Sequence, residues 1–173
     1  MHRAVNLVLM VLMMTVSTAP AARSGEVSIF SDLAGEPVQI ETHTGNGRWL
    51  VVMIWASDCH ICNQEAAAYE RFHRAQADNG IDVLGISMDG AEKTAAARTF
   101  VERHDLTYPN IIGEPGMVSL HYQSVTGEPL RGTPTFVIYD PSGRLAAAQA
   151  GAVPPESIER FVARKKAGKP GGQ

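Results

Sequence analysis

The sequence predicts an α/β protein: a central mixed β-sheet flanked by helices, with a short β extension on its N-terminal side. Three observations carry this. Trp49-Leu50-Val51-Val52-Met53-Ile54-Trp55 is a continuous apolar run with the length, valines and aromatics of a strand buried on both faces. A helical stretch and a second apolar run follow at the spacing of a strand–helix–strand unit, whose two strands are parallel. Further on, two short runs flank Asp140-Pro141-Ser142-Gly143 and read as an antiparallel hairpin.

The composition fits one such domain. A chain of 173 residues buries a core without disulfide staples. Its 45% hydrophobic and 19% charged content excludes a disordered or fibrous chain. The net charge of -3 excludes a strongly basic nucleic-acid binder. Two cysteines make neither a disulfide framework nor an all-cysteine zinc site, but they suffice for one dithiol.

Residues 1–21 read as a secretory signal. Met1-His2-Arg3 precedes an apolar run from Ala4 to Val16, and Ala19-Pro20-Ala21 fits a cleavage site. That run has 13 residues, whereas a spanning helix needs about 20. The alternative is an uncleaved anchor facing the periplasm. Export puts the mature chain where disulfides persist, and a bacterial periplasm is the expected compartment. Residues 22–167 are the expected domain, and 168–173 a frayed tail.

Pro37 to Thr42 reads as a short strand, closed by the turn Gly45-Asn46-Gly47. After the buried strand, a helix is expected from about His60 to Asp78, stopped at Asn79-Gly80 with Gly80 as a left-handed cap. Ile81 to Met88 is the parallel strand. Asp89 and Glu92 resemble a capping box for a helix ending near Asp105. A short strand is expected over Asn110 to Ile112 and a short helix over Met117 to Tyr122. The hairpin strands are Thr135 to Tyr139 and Arg144 to Ala150. A last helix starts near Pro155, with Ile158, Phe161 and Val162 on one face.

Cys59-His60-Ile61-Cys62 falls where the buried strand ends and the helix begins. Unpaired N–H groups at a helix start carry partial positive charge. They favour a thiolate at Cys59, and the thiolate is the reactive form. Cys62 lies one turn further in. So Cys59 is the expected nucleophile and Cys62 the resolving thiol. The residues leave two alternatives, an inert disulfide and half of a zinc site. Zinc needs two more ligands, and no second C-x-x-C or H-x-x-x-H is present. His60 and Asp58 flank Cys59 as candidates for tuning its pKa, with opposite signs. Glu65 shares a stripe with Ala68, Tyr69, Phe72 and Ala75, which predicts a partly desolvated carboxyl one turn after Cys62, suited to moving a proton. His43, His73, His104 and His121 read as surface or hydrogen-bonded histidines, and Trp49 and Trp55 as core.

Taken together, Trp55-Ala56-Ser57-x-Cys59-x-x-Cys62, the strand–helix–strand unit and Gly132-Thr133-Pro134-Thr135 resemble the thioredoxin superfamily. Within it, the chain looks most like the secreted TlpA/ResA-like thiol–disulfide oxidoreductases, over roughly Phe30 to Ala163. The resemblance implies a thioredoxin-like fold with no cofactor and no metal, and a protein-disulfide reductase. It implies that Pro134 is cis and that the Thr133 backbone pairs with an extended substrate strand. Glu65 matches an acidic position of the subgroup. The implied partners are a client protein with a disulfide or cysteine pair, in cytochrome c maturation or copper-site assembly, and a membrane thiol electron donor. Three departures affect redox direction. Asp58 stands where tryptophan is usual, Met53 stands where cytoplasmic thioredoxins bury an aspartate, and His60-Ile61 lacks a proline. The rivals are a disulfide-donating oxidase on the same fold, a Cu(I) metallochaperone and, more remotely, a thiol peroxidase. The sequence assigns no oligomeric state.

Overall fold

A computed structural model describes residues 28–168. The expected signal at 1–21 lies outside them, as does all but the first residue of the expected tail. Eleven strands and α-helices are resolved in this range. In chain order they are β1 (Phe30–Asp32), β2 (Pro37–Val38), β3 (Trp49–Trp55), α1 (His60–Gln76), β4 (Ile81–Ser87), α2 (Thr94–Arg103), β5 (Asn110–Gly113), α3 (Pro115–Thr126), β6 (Thr135–Tyr139), β7 (Leu145–Ala150) and α4 (Pro155–Ala167). The strands form one mixed sheet in the order β2-β1-β5-β4-β3-β6-β7. β3, β4 and β5 run parallel, while β1, β6 and β7 join antiparallel.

β3 is buried along its whole length because both faces of the sheet are covered. Trp49, Val51, Met53 and Trp55 pack with α1, α2 and α4, through Tyr69, Phe72, Phe100, Ile158 and Val162. Leu50, Val52 and Ile54 face the other way, onto Val118 and Tyr122 of α3. Full burial of one such side chain contributes about 1.5–3 kcal/mol. Trp55 is fully enclosed and stacks on Phe100 at 4.1 Å between ring centroids. Its indole N–H donates to Asn110 Oδ1 at 3.2 Å, across β4. Gly85 leaves room for that bond. A Cβ there would stand 1.9 Å from Asn110 Oδ1 and 2.8 Å from Trp55 Nε1.

Several expectations needed correction. The strand expected at 37–42 is only two residues long. A turn of 3-10 helix takes over at Ile40–His43, where the Thr42 amide and hydroxyl both donate to Gln39 O. Asp89 caps no helix. Gly90 turns the chain at φ +74°, a 3-10 turn covers Ala91–Lys93, and α2 starts at Thr94. The helix read at 117–122 runs from Pro115 to Thr126, stopped by left-handed Gly127. Gly80 does take the left-handed conformation expected of it, after a 3-10 turn at Ala77–Asn79.

Candidate active site

The parallel strands β3 and β4 end, and the antiparallel β6 begins, at the same edge of the sheet. Ile54 pairs with Thr135 there. This register brings the loop carrying Cys59 and the segment Gly132-Thr133-Pro134 to one end of the molecule. Cys59 and Cys62 are joined as a disulfide, with Cα atoms 5.2 Å apart. Cys59 is the N-cap of α1 in an extended conformation, and its sulfur accepts from the Cys62 amide at 3.1 Å. That contact is what stabilises a thiolate at a helix start. Cys59 is half-buried, whereas Cys62 is fully buried. Cys59 therefore reaches the surface and Cys62 does not.

Two side-chain clusters fasten this loop. Asp89, only 9% exposed, accepts from the Ser57 amide at 3.0 Å, the Ser57 hydroxyl at 2.9 Å and the Ser87 hydroxyl at 2.7 Å. From the other side, Asn63 Nδ2 donates to Cys59 O at 2.9 Å and to Ser57 O at 3.2 Å. Asn63 Oδ1 lies 2.9 Å from His104 Nε2, just past the end of α2. Burial, and then the charge of Arg103, push the pKa of His104 below its ordinary value. Sequence reasoning missed Ser57, Asp89, Asn63 and His104 as a group. Their partners lie 32 and 41 residues apart, so no local pattern joins them.

The Thr133–Pro134 peptide bond is cis. Pro134 is buried and Thr133 half-buried. Pro134 O accepts from Gly151 N at 2.8 Å, and Thr135 Oγ1 donates to Gly132 O at 2.7 Å. The candidate tuning residues point outward. His60 is exposed and bonded to Gln64, and Asp58 is exposed and 3.4 Å from Lys93 Nζ.

The apolar stripe of α1 is rotated from the expected one. Its buried residues are Cys62, Ala66, Tyr69, Glu70 and Phe72, and Ala75 is exposed. Glu65 sits half-buried at the edge of this face. Burial, and next the Glu65 charge, push the Tyr69 phenol up, and its hydroxyl donates to Val153 O at 2.7 Å. The rotation follows from Glu70, a carboxylate 6% exposed that is held by the amide and hydroxyl of Thr107 and by Arg74. With those donors it can face the core, and Glu65 moves to the rim. Of the other histidines, His73 Nδ1 and His121 Nε2 are buried without a hydrogen-bond partner among the described residues, contrary to expectation.

The model of the AhpC/TSA family matches residues 19–148. Among curated proteins, the chain is similar to the thiol-disulfide oxidoreductase ResA of Halalkalibacterium halodurans, at 24% identity over 144 residues, covering 82% of this chain and 76% of ResA. It is also similar to the thioredoxin-like protein YneN of Bacillus subtilis, at 26% identity over 129 residues, covering 74% and 70%. Among solved structures, it resembles a secreted Mycobacterium tuberculosis disulfide oxidoreductase homologous to Escherichia coli DsbE. That match has 22% identity and a TM-score of 0.59, covering 77% of this chain and 92% of the other. A thiol:disulfide interchange protein of the thioredoxin family from Chlorobium tepidum matches with 20% identity and a TM-score of 0.64, covering 84% and 98%. The fold is the thioredoxin-like one.

Proposed function

Because the chain belongs to the AhpC/TSA family, we propose that it is a thiol–disulfide oxidoreductase that reduces disulfides of client proteins through Cys59 and Cys62. The observation that carries this reading is the Cys59–Cys62 disulfide at the start of α1, with Cys59 half-buried and Cys62 fully buried.

In the reduced protein, the Cys59 thiolate attacks one sulfur of a client disulfide. That bond breaks, a Cys59–client disulfide forms, and the other client sulfur leaves as a thiolate and takes a proton. Cys62 then loses its proton and attacks Cys59 Sγ, releasing the second client thiolate. Two electrons have passed to the client, and the intramolecular disulfide remains. Glu65, one turn after Cys62, is the group we assign to accept the Cys62 proton. The Thr133 backbone, preceding Pro134, is suited to pair with an extended client strand. His60 and Asp58 adjust the Cys59 thiolate from its solvent side. A membrane thiol donor returns the electrons. We assign the protein to the periplasm, exported by residues 1–21, with residues 22–167 as its one domain. Clients in cytochrome c maturation or copper-site assembly are the class the family resemblance supports. No described helix is long and apolar enough to cross a membrane.

The first test is the equilibrium reduction potential of the pair. A value well below about -200 mV supports a reductase, and one near about -120 mV overturns that direction in favour of a disulfide donor. Cys59→Ser is expected to abolish exchange, and Cys62→Ser to accumulate mixed disulfides visible by mass spectrometry. Full activity in both variants would overturn the reading. Glu65→Gln is expected to slow the release of the mixed disulfide and to change its pH profile. An unaltered profile removes Glu65 from the mechanism.

A further inference from the structure

We propose that His104 is a positioning residue for the dithiol, acting through Asn63 on the backbone that presents Cys59. The inference rests on the reading of Cys59–Cys62 as an exchanging pair.

The argument starts from donors and acceptors. Ser57 O and Cys59 O can only accept, so the group of Asn63 that meets both is its NH2. This fixes the amide orientation and turns Oδ1 toward His104. An amide oxygen only accepts, so His104 Nε2 carries the proton and donates. Without that donor Oδ1 loses its partner on the outer side of the clamp. A flipped amide sets Oδ1 against two carbonyl oxygens. The two carbonyls therefore set the orientation, and the His104 donor satisfies Oδ1 and holds the amide against the loop.

The clamp acts where the chemistry is. Cys59 O already accepts from the Asn63 amide within the helix, at 3.1 Å, and Nδ2 takes its remaining lone pair. Cys59 is thereby held at φ −74° and ψ 113°, the conformation in which its sulfur reaches Cys62 N–H. Asparagine is a poor residue for a helix interior unless its side chain finds a backbone partner, and here it finds two. The imidazole is itself held in place. It packs edge-on against Phe100 at 4.7 Å, and Phe100 stacks on Trp55 at the end of β3. The segment between β4 and β5 thus reaches the dithiol through one rigid ring and one amide.

The test is the rate of Cys59 alkylation by iodoacetamide in the fully reduced chain, across pH, together with the reduction potential. His104→Phe keeps the ring stacking and removes the donor. It is expected to slow alkylation at pH 7 about five-fold, the size of one hydrogen bond. A five-fold loss on the reduced side makes the potential about 20 mV more negative, at 29.6 mV per tenfold. His104→Gln, which sets an N–H near the position of Nε2, is expected to restore both. Asn63→Leu is expected to match His104→Phe, and the double variant to be no worse than either. Unchanged alkylation and potential in both single variants would overturn the inference, as would additive effects in the double variant or failure of Gln to rescue. Insulin reduction by the unaltered chain is measured alongside. Absence of that activity defeats the proposed function, whereas normal activity with unmoved variants defeats only the role of His104.

Discussion

Two buried carboxylates sit in different regions of this molecule, Asp89 beside the dithiol and Glu70 along α1 against the loop before β5. Each takes both the amide and the hydroxyl of one residue, Ser57 for Asp89 and Thr107 for Glu70. The third partner separates them. Glu70 has the guanidinium of Arg74, whereas Asp89 has the neutral hydroxyl of Ser87. Among the described residues no cation pairs with Asp89. A buried charge held only by neutral dipoles keeps its loop in place without adding a positive charge beside Cys59. The pair teaches that the donor set alone does not mark a functional carboxylate. Its neighbours in space do.

Asp89→Ala should break the comparison most strongly. It leaves the Ser57 amide and Ser87 hydroxyl without their acceptor, at a cost of about 3 kcal/mol. Urea unfolding should show that loss, and exchange by the folded variant should slow because the Ser57 loop is freed. A cost below about 1 kcal/mol with normal exchange would mean that the loop does not depend on Asp89.

Glu70→Gln sharpens the contrast. Burial pushes the Glu70 carboxyl up, but the Thr107 hydroxyl and amide, with Arg74, outweigh it, so its pKa lies below the ordinary 4.5. A group with a depressed folded-state pKa contributes stability above its unfolded value, and that stability is lost as pH falls through the folded one. The variant should therefore cost about 1–2 kcal/mol at pH 7, and less once the pH is well below 4.5. Urea midpoints at the two pH values measure this. Exchange activity should stay near normal, because Glu70 does not touch the dithiol loop. An equal cost at both pH values would show that the ionised carboxylate is not what Thr107 and Arg74 hold.

Arg48 supplies the exposed counterpart. It meets Asp82 at 2.8 Å with both side chains about one-third exposed, and also donates to Ala77 O. Arg48→Ala should cost less than about 1 kcal/mol, and the loss should shrink as salt is added. A larger, salt-independent cost would place this pair with the buried ones.

The same distinction explains what the sequence made legible. β3, the parallel β4 and the β6–β7 hairpin follow from local apolar runs and turn residues. The disulfide at the start of α1 follows from where the motif falls between a strand and a helix. The strand expected at 37–42 failed because Ile40 is buried by a 3-10 turn that closes on Gln39, which alternation does not reveal. Asp89 looked like a helix cap because Glu92 follows at capping-box spacing. Its carboxylate is instead drawn to Ser57, 32 residues away. Asn63 and His104 left no sign at all, since an amide clamp between two elements has no period. Glu65 was expected on the core face because Glu70 was not expected to find Thr107 there.

The bond between Trp55 and Asn110 spans β4 over a residue with no side chain. Those three positions therefore form a single unit of inheritance. In chains descended from the same ancestor, a tryptophan–asparagine bridge at the positions of 55 and 110 and any side chain at the position of 85 should exclude one another. A substitution at 85 should then be accompanied by loss of the bridge in the same lineage.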